Sequence, residues 1–211
     1  MDKQHRLSRL GPLSGLLAVA LEFGGVILGS QPMVALGDSN TKILNALTKH
    51  VGTGAWIGSY MELAMLAAFA VFAIWLFGSR RGPLAGAGML ATGVYITVGG
   101  ISLIVGDVLK YGSGHGMGHQ EMLALFDLQS ALFIATWGIS AAFLALAPVS
   151  GWLRGSALVI AGLRLVSVTV PTAGAAQFPE ILFLLWIVAV GVSAGRRPST
   201  VTAGAPAAAH A

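Results

Sequence analysis

Ala55-Trp-Ile-Gly-Ser-Tyr60-Met-Glu62-Leu-Ala-Met-Leu-Ala-Ala-Phe-Ala-Val-Phe-Ala-Ile-Trp-Leu-Phe77 runs for 23 residues with one charged side chain, Glu62. A helix needs about 20 such residues to cross the ~30 Å hydrocarbon core of a bilayer, so the stretch reads as a membrane span. Five more apolar stretches flank it, and the expected spans lie at 12–29, 55–77, 84–106, 123–147, 156–172 and 179–195. The chain has 211 residues, of which 55% are hydrophobic and only 9% charged, which leaves no room for a separate soluble domain. The expected fold class is therefore all-α: a polytopic membrane protein with six transmembrane helices in one bundle.

Charge placement gives that bundle a direction. Lys3, Arg6, Arg9, Arg80, Arg81, Arg154, Arg196 and Arg197 fall on one side, against Lys42, Lys49 and Lys110 on the other. Basic residues concentrate on the cytoplasmic side, so both termini are expected in the cytoplasm. The basic start Met1-Asp-Lys-Gln-His-Arg-Leu-Ser-Arg9 precedes an apolar run as in a signal peptide. Glu22 interrupts that run and no small-residue cleavage site follows, so the first helix is expected to be retained. Residues 1–197 then form one transmembrane domain, and 198–211, which lack apolar periodicity, a disordered tail.

The inner loops, 78–83 and 148–155, are short enough for tight hairpins. The fifth span carries Arg164 and is closed by Pro171, which predicts a short or tilted helix. In the first outer loop a turn at Gln31-Pro32 is followed by Asp38-Ser39-Asn40, a cap before Ile43, Leu44, Leu47 and Val51, which share one helical face. That pattern predicts a short helix lying on the membrane surface. The second, fourth and sixth spans open alike, at Tyr60-Met-Glu62, Phe126-Asp127 and Phe178-Pro-Glu180, the trace of a weak repeat of helical hairpins. Glycines recur four apart at 25/29, 54/58, 82/86, 151/155 and 191/195, which predicts close helix packing in a compact bundle.

Glu22 and Arg164 are the most expensive residues in the spans, and each needs a partner. Counting ~1.5 Å per residue from the inner helix ends places both ~12–15 Å deep, so an ion pair between them is expected. Glu62 lies further out, and Asp107, Asp127 and Glu180 nearer the outer surface. Clustered carboxylates attract cations, which suits proton transfer or recognition of a cationic solute. Glu22, Glu62, Arg164 and Asp127 are the candidate ligand- or ion-binding residues. In the third outer loop His115, Met117 and His119 alternate and would suit copper, or zinc with Glu121 or His50. Their glycine neighbours predict a mobile loop instead, and no metal site is expected. Trp56, Tyr60 and Tyr111 at the outer boundary, with Trp75 and Trp152 at the inner, read as an aromatic belt, and Trp137 and Trp186 as packing residues.

From about Tyr60 onward the layout resembles a family of uncharacterised six-helix bacterial membrane proteins. The similar features are the turn Pro148-Val-Ser-Gly-Trp152-Leu-Arg154-Gly and the last helix, Phe178-Pro-Glu180-Ile-Leu-Phe-Leu-Leu-Trp186, ending at Gly191. That resemblance implies a multi-pass protein of the bacterial inner membrane and no particular activity. Size and helix count also look like the substrate-binding subunits of energy-coupling-factor vitamin transporters, whose first-helix alanine motif is not found here.

The absence of cysteine removes thiolate metal sites and thiol redox chemistry, and no nucleophile–base pair or intramembrane histidine pair stands in a recognisable context. Neither an enzyme nor a cofactor is expected. The basic residues are explained by topology, so nucleic acid is not an expected partner. Expected partners are the lipid bilayer and a small-molecule or cationic ligand, with a homo-oligomer or another membrane protein beyond those. The expected function is binding or transport of a small or cationic solute through an outward-facing polar pocket. The alternative is a non-transporting accessory or scaffold protein whose buried charges are structural.

Overall fold

The computed structural model of the chain describes residues 3–29, 34, 37–48, 52–78, 80–169 and 173–195. Within them all regular structure is helical: α1 (Lys3–Gly29), α2 (Asn40–Leu47), α3 (Thr53–Gly78), α4 (Pro83–Gly114), α5 (His119–Leu146), α6 (Trp152–Thr169) and α7 (Ala173–Gly195). Five of them are long and apolar enough to cross a membrane: α1 from Leu10 onward, α3, α4, α5 and α6. The apolar part of α7 is shorter, Phe178–Ala194. The expected turn at Gln31-Pro32, Pro171 and the tail after Pro198 lie outside the described residues.

The long helices pack in chain order. α1 contacts α3, α3 contacts α4, and so on through α7, which returns to α1 and closes the ring. Inside the ring aromatic side chains meet: the Phe69 ring of α3 lies 5.1 Å from Phe143 of α5, 5.2 Å from Tyr95 of α4 and 6.0 Å from Phe183 of α7. Large apolar residues such as Ile27, Leu90, Ile104, Val159 and Val166 stand exposed around the outside. In water such a perimeter would aggregate; against lipid tails it costs nothing.

Lipid supplies no hydrophobic force between helices, so close backbone contact has to hold them. The α1–α3 crossing does this with two of the predicted glycine pairs. A Cβ at Gly58 would lie 2.7 Å from the Gly25 carbonyl oxygen and 2.8 Å from the Gly29 Cα, and one at Gly54 3.0 Å from the Leu28 carbonyl oxygen. Gly191 of α7 sits against the Pro12 carbonyl oxygen, 3.1 Å from where its Cβ would be. Gly82, Gly86, Gly151 and Gly155 face nothing within 4 Å, so their spacing marks no crossing; Gly82 and Gly151 instead take positive φ in the turns.

At one end of the bundle α4 runs eight residues past its expected end at 106. Its 32 residues span ~48 Å, well beyond a ~30 Å hydrocarbon core. α2 packs on the projecting ends of α4 and α5, with Ile43 against a cluster of Leu109, Met122 and Phe126. The cap on α2 is as predicted, Ser39 Oγ accepting from the Lys42 N–H at 3.3 Å, and an Asp38–Lys42 ion pair of 2.7 Å supports it. The apolar face of α2 packs on protein, through Ile43 and Ala46.

The third outer loop is shorter than expected. Helix continues to Gly114 and resumes at His119, leaving a four-residue turn with Gly116 at φ +84°. Glu121 caps α5 by accepting from the Gly118 N–H at 3.1 Å. At the opposite end Arg154 Nη1 donates to the Ala145 and Ala147 carbonyls, at 2.7 and 3.2 Å, and closes the C-terminus of α5.

Candidate functional site

The charged residues of the spans gather in the α2 half of the ring, beyond the aromatic centre. Arg164 of α6 is 1% exposed and is held on three sides. Its Nε donates to Ser140 Oγ of α5 at 2.5 Å, and its Nη1 to Glu180 Oε2 of α7 at 2.7 Å and to the Pro179 carbonyl at 3.4 Å. The guanidinium also lies over the Phe183 ring, 4.8 Å from its centroid. A buried cation is tolerable only with such hydrogen bonding, and the planar guanidinium here takes partners from two neighbouring helices, α5 and α7, at once.

The expected Glu22–Arg164 pair is therefore not formed. Both residues were placed at matching depth, but α6 packs between α5 and α7, while α1 packs on α3 and α7. α7 stands between the two and brings Glu180 to the arginine. α6 also begins at Trp152, four residues earlier than expected, which carries Arg164 further toward the α2 end.

A second charged unit joins α3 to the projecting part of α4. Lys110 Nζ donates to Ser59 Oγ at 2.5 Å and to Asp107 Oδ1 at 3.2 Å, and the Ser59 hydroxyl donates to the same Asp107 oxygen at 2.6 Å. Lys110, expected in a loop, thus has a largely buried side chain in a helix.

Two carboxylates remain. Glu22 of α1 and Glu62 of α3 flank the glycine crossing: the Glu62 stem lies on Gly25, 2.8 Å from where its Cβ would be, and Gly25 follows Glu22 by about one turn. Neither acid is within ion-pair distance of a cation among the described residues. Glu22 is within electrostatic reach of Glu180 and Glu62, and Glu62 of Lys110 and Asp107. Glu22 Oε2 is buried without a hydrogen-bond partner. Tyr95 of α4, buried in the middle of the ring, is within reach of Glu22, Glu180 and Arg164.

All four candidates lie in the α2 half of the bundle, but Asp127 is set apart from Glu22, Glu62 and Arg164 by its exposure. Asp127 is exposed on α5, one residue after the buried Phe126. The acids of the expected repeat consequently play three roles: Glu62 lines the glycine crossing, Asp127 faces outward, and Glu180 neutralises Arg164.

His115, Met117 and His119 do not converge. The His115 ring stacks on Tyr111 at 3.9 Å and its Nδ1 is 2.7 Å from the Tyr111 carbonyl oxygen, while Met117 packs over Gly112 and His119 is exposed at the start of α5. No group of three or more His, Asp or Glu among the described residues is placed to hold a metal ion.

Residue reading missed Ser140, Ser59 and the pairing role of Glu180. No signal singled out Ser140, since α5 also carries Ser130 and Thr136. Compared with known proteins, the chain matches no family model, no curated protein and no solved structure.

Proposed function

We propose that the chain is a multi-pass protein of a bacterial inner membrane, with six transmembrane helices and both termini in the cytoplasm, that binds or transports a small cationic solute. The observation that carries this reading is the pair of carboxyl groups left over in the α2 half. Asp107 and Glu180 are matched by Lys110 and Arg164, and Glu22 and Glu62 have no cation of their own. Carboxylates within a bilayer are costly and mark ion or substrate pathways when protein does not neutralise them. The one-sided Lys and Arg distribution supports placing the α2 end outside. Six crossings are supported by the 23 residues of α7, ~34 Å as a helix, and the bacterial setting by the family resemblance.

Single cysteines at Ser113 and Ser199 test the orientation: an impermeant reagent on intact cells should label Ser113 only. For the solute, the full chain in lipid nanodiscs is titrated with guanidinium, alkylammonium, alkali and divalent cations while thermal unfolding is followed. One class should stabilise the fold by roughly 2–3 kcal/mol at saturation, and Glu22→Gln and Glu62→Gln should abolish that gain.

A second reading, a scaffold with structural charges, is favoured by the aromatic centre, where Phe69, Phe143 and Phe183 leave the ring packed across its middle. On that reading no cation stabilises the fold, and both glutamine variants are at least as stable as the parent.

A further inference from the structure

Three buried polar side-chain atoms have no hydrogen-bond partner among the described residues: Glu22 Oε2, Arg164 Nη2 and Trp137 Nε1. One is an acceptor and two are donors. A buried polar group left unmade is expensive, and each of the three calls for a partner.

Arg164 is already neutralised by Glu180, and two of its three nitrogens are engaged. Its Nη2 faces a requirement for a hydrogen-bond acceptor rather than for another charge. Trp137, 5% exposed, stands one turn from Ser140 on the same face of α5, and Ser140 is the residue that holds Arg164 Nε. The Cα–Cβ bonds of a helix tilt toward its N-terminus, which for α5 is the α2 end, the half that holds Glu22 and Glu62. Tyr95, within electrostatic reach of Glu22, Glu180 and Arg164, ties the α1 acid and the α6 cation to one region.

A plain cation would satisfy the acids and leave both donors unmade. An anion would satisfy the donors and meet Glu22 and Glu62 at close quarters. We propose that the site takes a small zwitterion, of the amino-acid or betaine class: its ammonium group against Glu22 and Glu62, its carboxylate on Arg164 Nη2 and Trp137 Nε1. This narrows the cation-binding reading and rests on it.

Full-length protein in nanodiscs is titrated with glycine, β-alanine and glycine betaine, each beside the cation that lacks its carboxylate: methylammonium, ethylammonium and tetramethylammonium. At least one zwitterion should bind about tenfold or more tighter than its partner cation, as a charge-assisted hydrogen bond provides. Trp137→Phe, which keeps the ring and removes the N–H, should erase most of that preference with little change in cation affinity. Glu62→Gln should weaken both members of each pair. Cations bound as tightly as their zwitterions, or a preference that Trp137→Phe leaves intact, would overturn the zwitterion and leave cation binding standing. Binding of neither set would overturn both.

Discussion

The α1–α3 seam and the seams that α6 makes with α5 and α7 solve one problem by opposite means. At the first, glycines remove side chains until backbone touches backbone, as at Gly58 on Gly25 and Gly29. At the second, an arginine fills the gap and bonds across it to Ser140 and Glu180. The first gains many weak dispersion contacts and fails gradually; the second concentrates its energy in a few atoms and fails when one is removed. The contrast also explains why the leftover acids sit on the first seam: it holds without ion pairs, so Glu22 and Glu62 are not needed for cohesion.

The largest effect should come from the charged seam. Arg164→Met strands Glu180 and is expected to cost about 3–5 kcal/mol in thermal unfolding of the protein in detergent. Arg164→Met combined with Glu180→Gln should recover part of it, with a coupling of roughly 0.5–3 kcal/mol. The same cycle with Glu22→Gln should be close to additive; coupling to Glu22 in place of Glu180 would break the contrast between the seams.

An intermediate effect is expected at the glycine crossing. Gly58→Ala places a methyl group 2.7 Å from a carbonyl oxygen and 2.8 Å from a Cα, both backbone atoms that cannot swing aside. Overpacking of this kind costs about 1–3 kcal/mol, read by the same unfolding measurement. The matched control is the smallest change: Gly86→Ala meets nothing within 4 Å and should be neutral or stabilising, by up to about 1 kcal/mol. Equal losses at the two glycines would mean that glycine spacing, and not contact, sets the packing.

Long apolar runs made the all-helical, membrane-compatible fold legible, because length and hydropathy act within one helix at a time. The Ser39 cap was legible for the same reason, since donor and acceptor are three residues apart. The continuation of α4 was not. Asp107 and Lys110 lower the hydropathy and suggest a loop, yet they pair with each other and with Ser59, and α2 covers Leu109 beside them. Partner choice was illegible in a deeper sense. Depth can be counted along one helix, so Glu22 and Arg164 matched, but which helix stands beside α6 depends on the closure of the whole ring. The His115–His119 segment misled through its glycines, one of which supplies the positive φ of a tight turn.

The Arg164–Glu180 bond also has a consequence for how the protein is made. α6 is synthesised before α7, so Arg164 reaches the lipid boundary while its counter-charge is still inside the ribosome. α6 is also the least apolar of the five long helices. On the proposed six-span reading the two helices are therefore expected to enter the bilayer better together than α6 alone, with Glu180 neutralising Arg164.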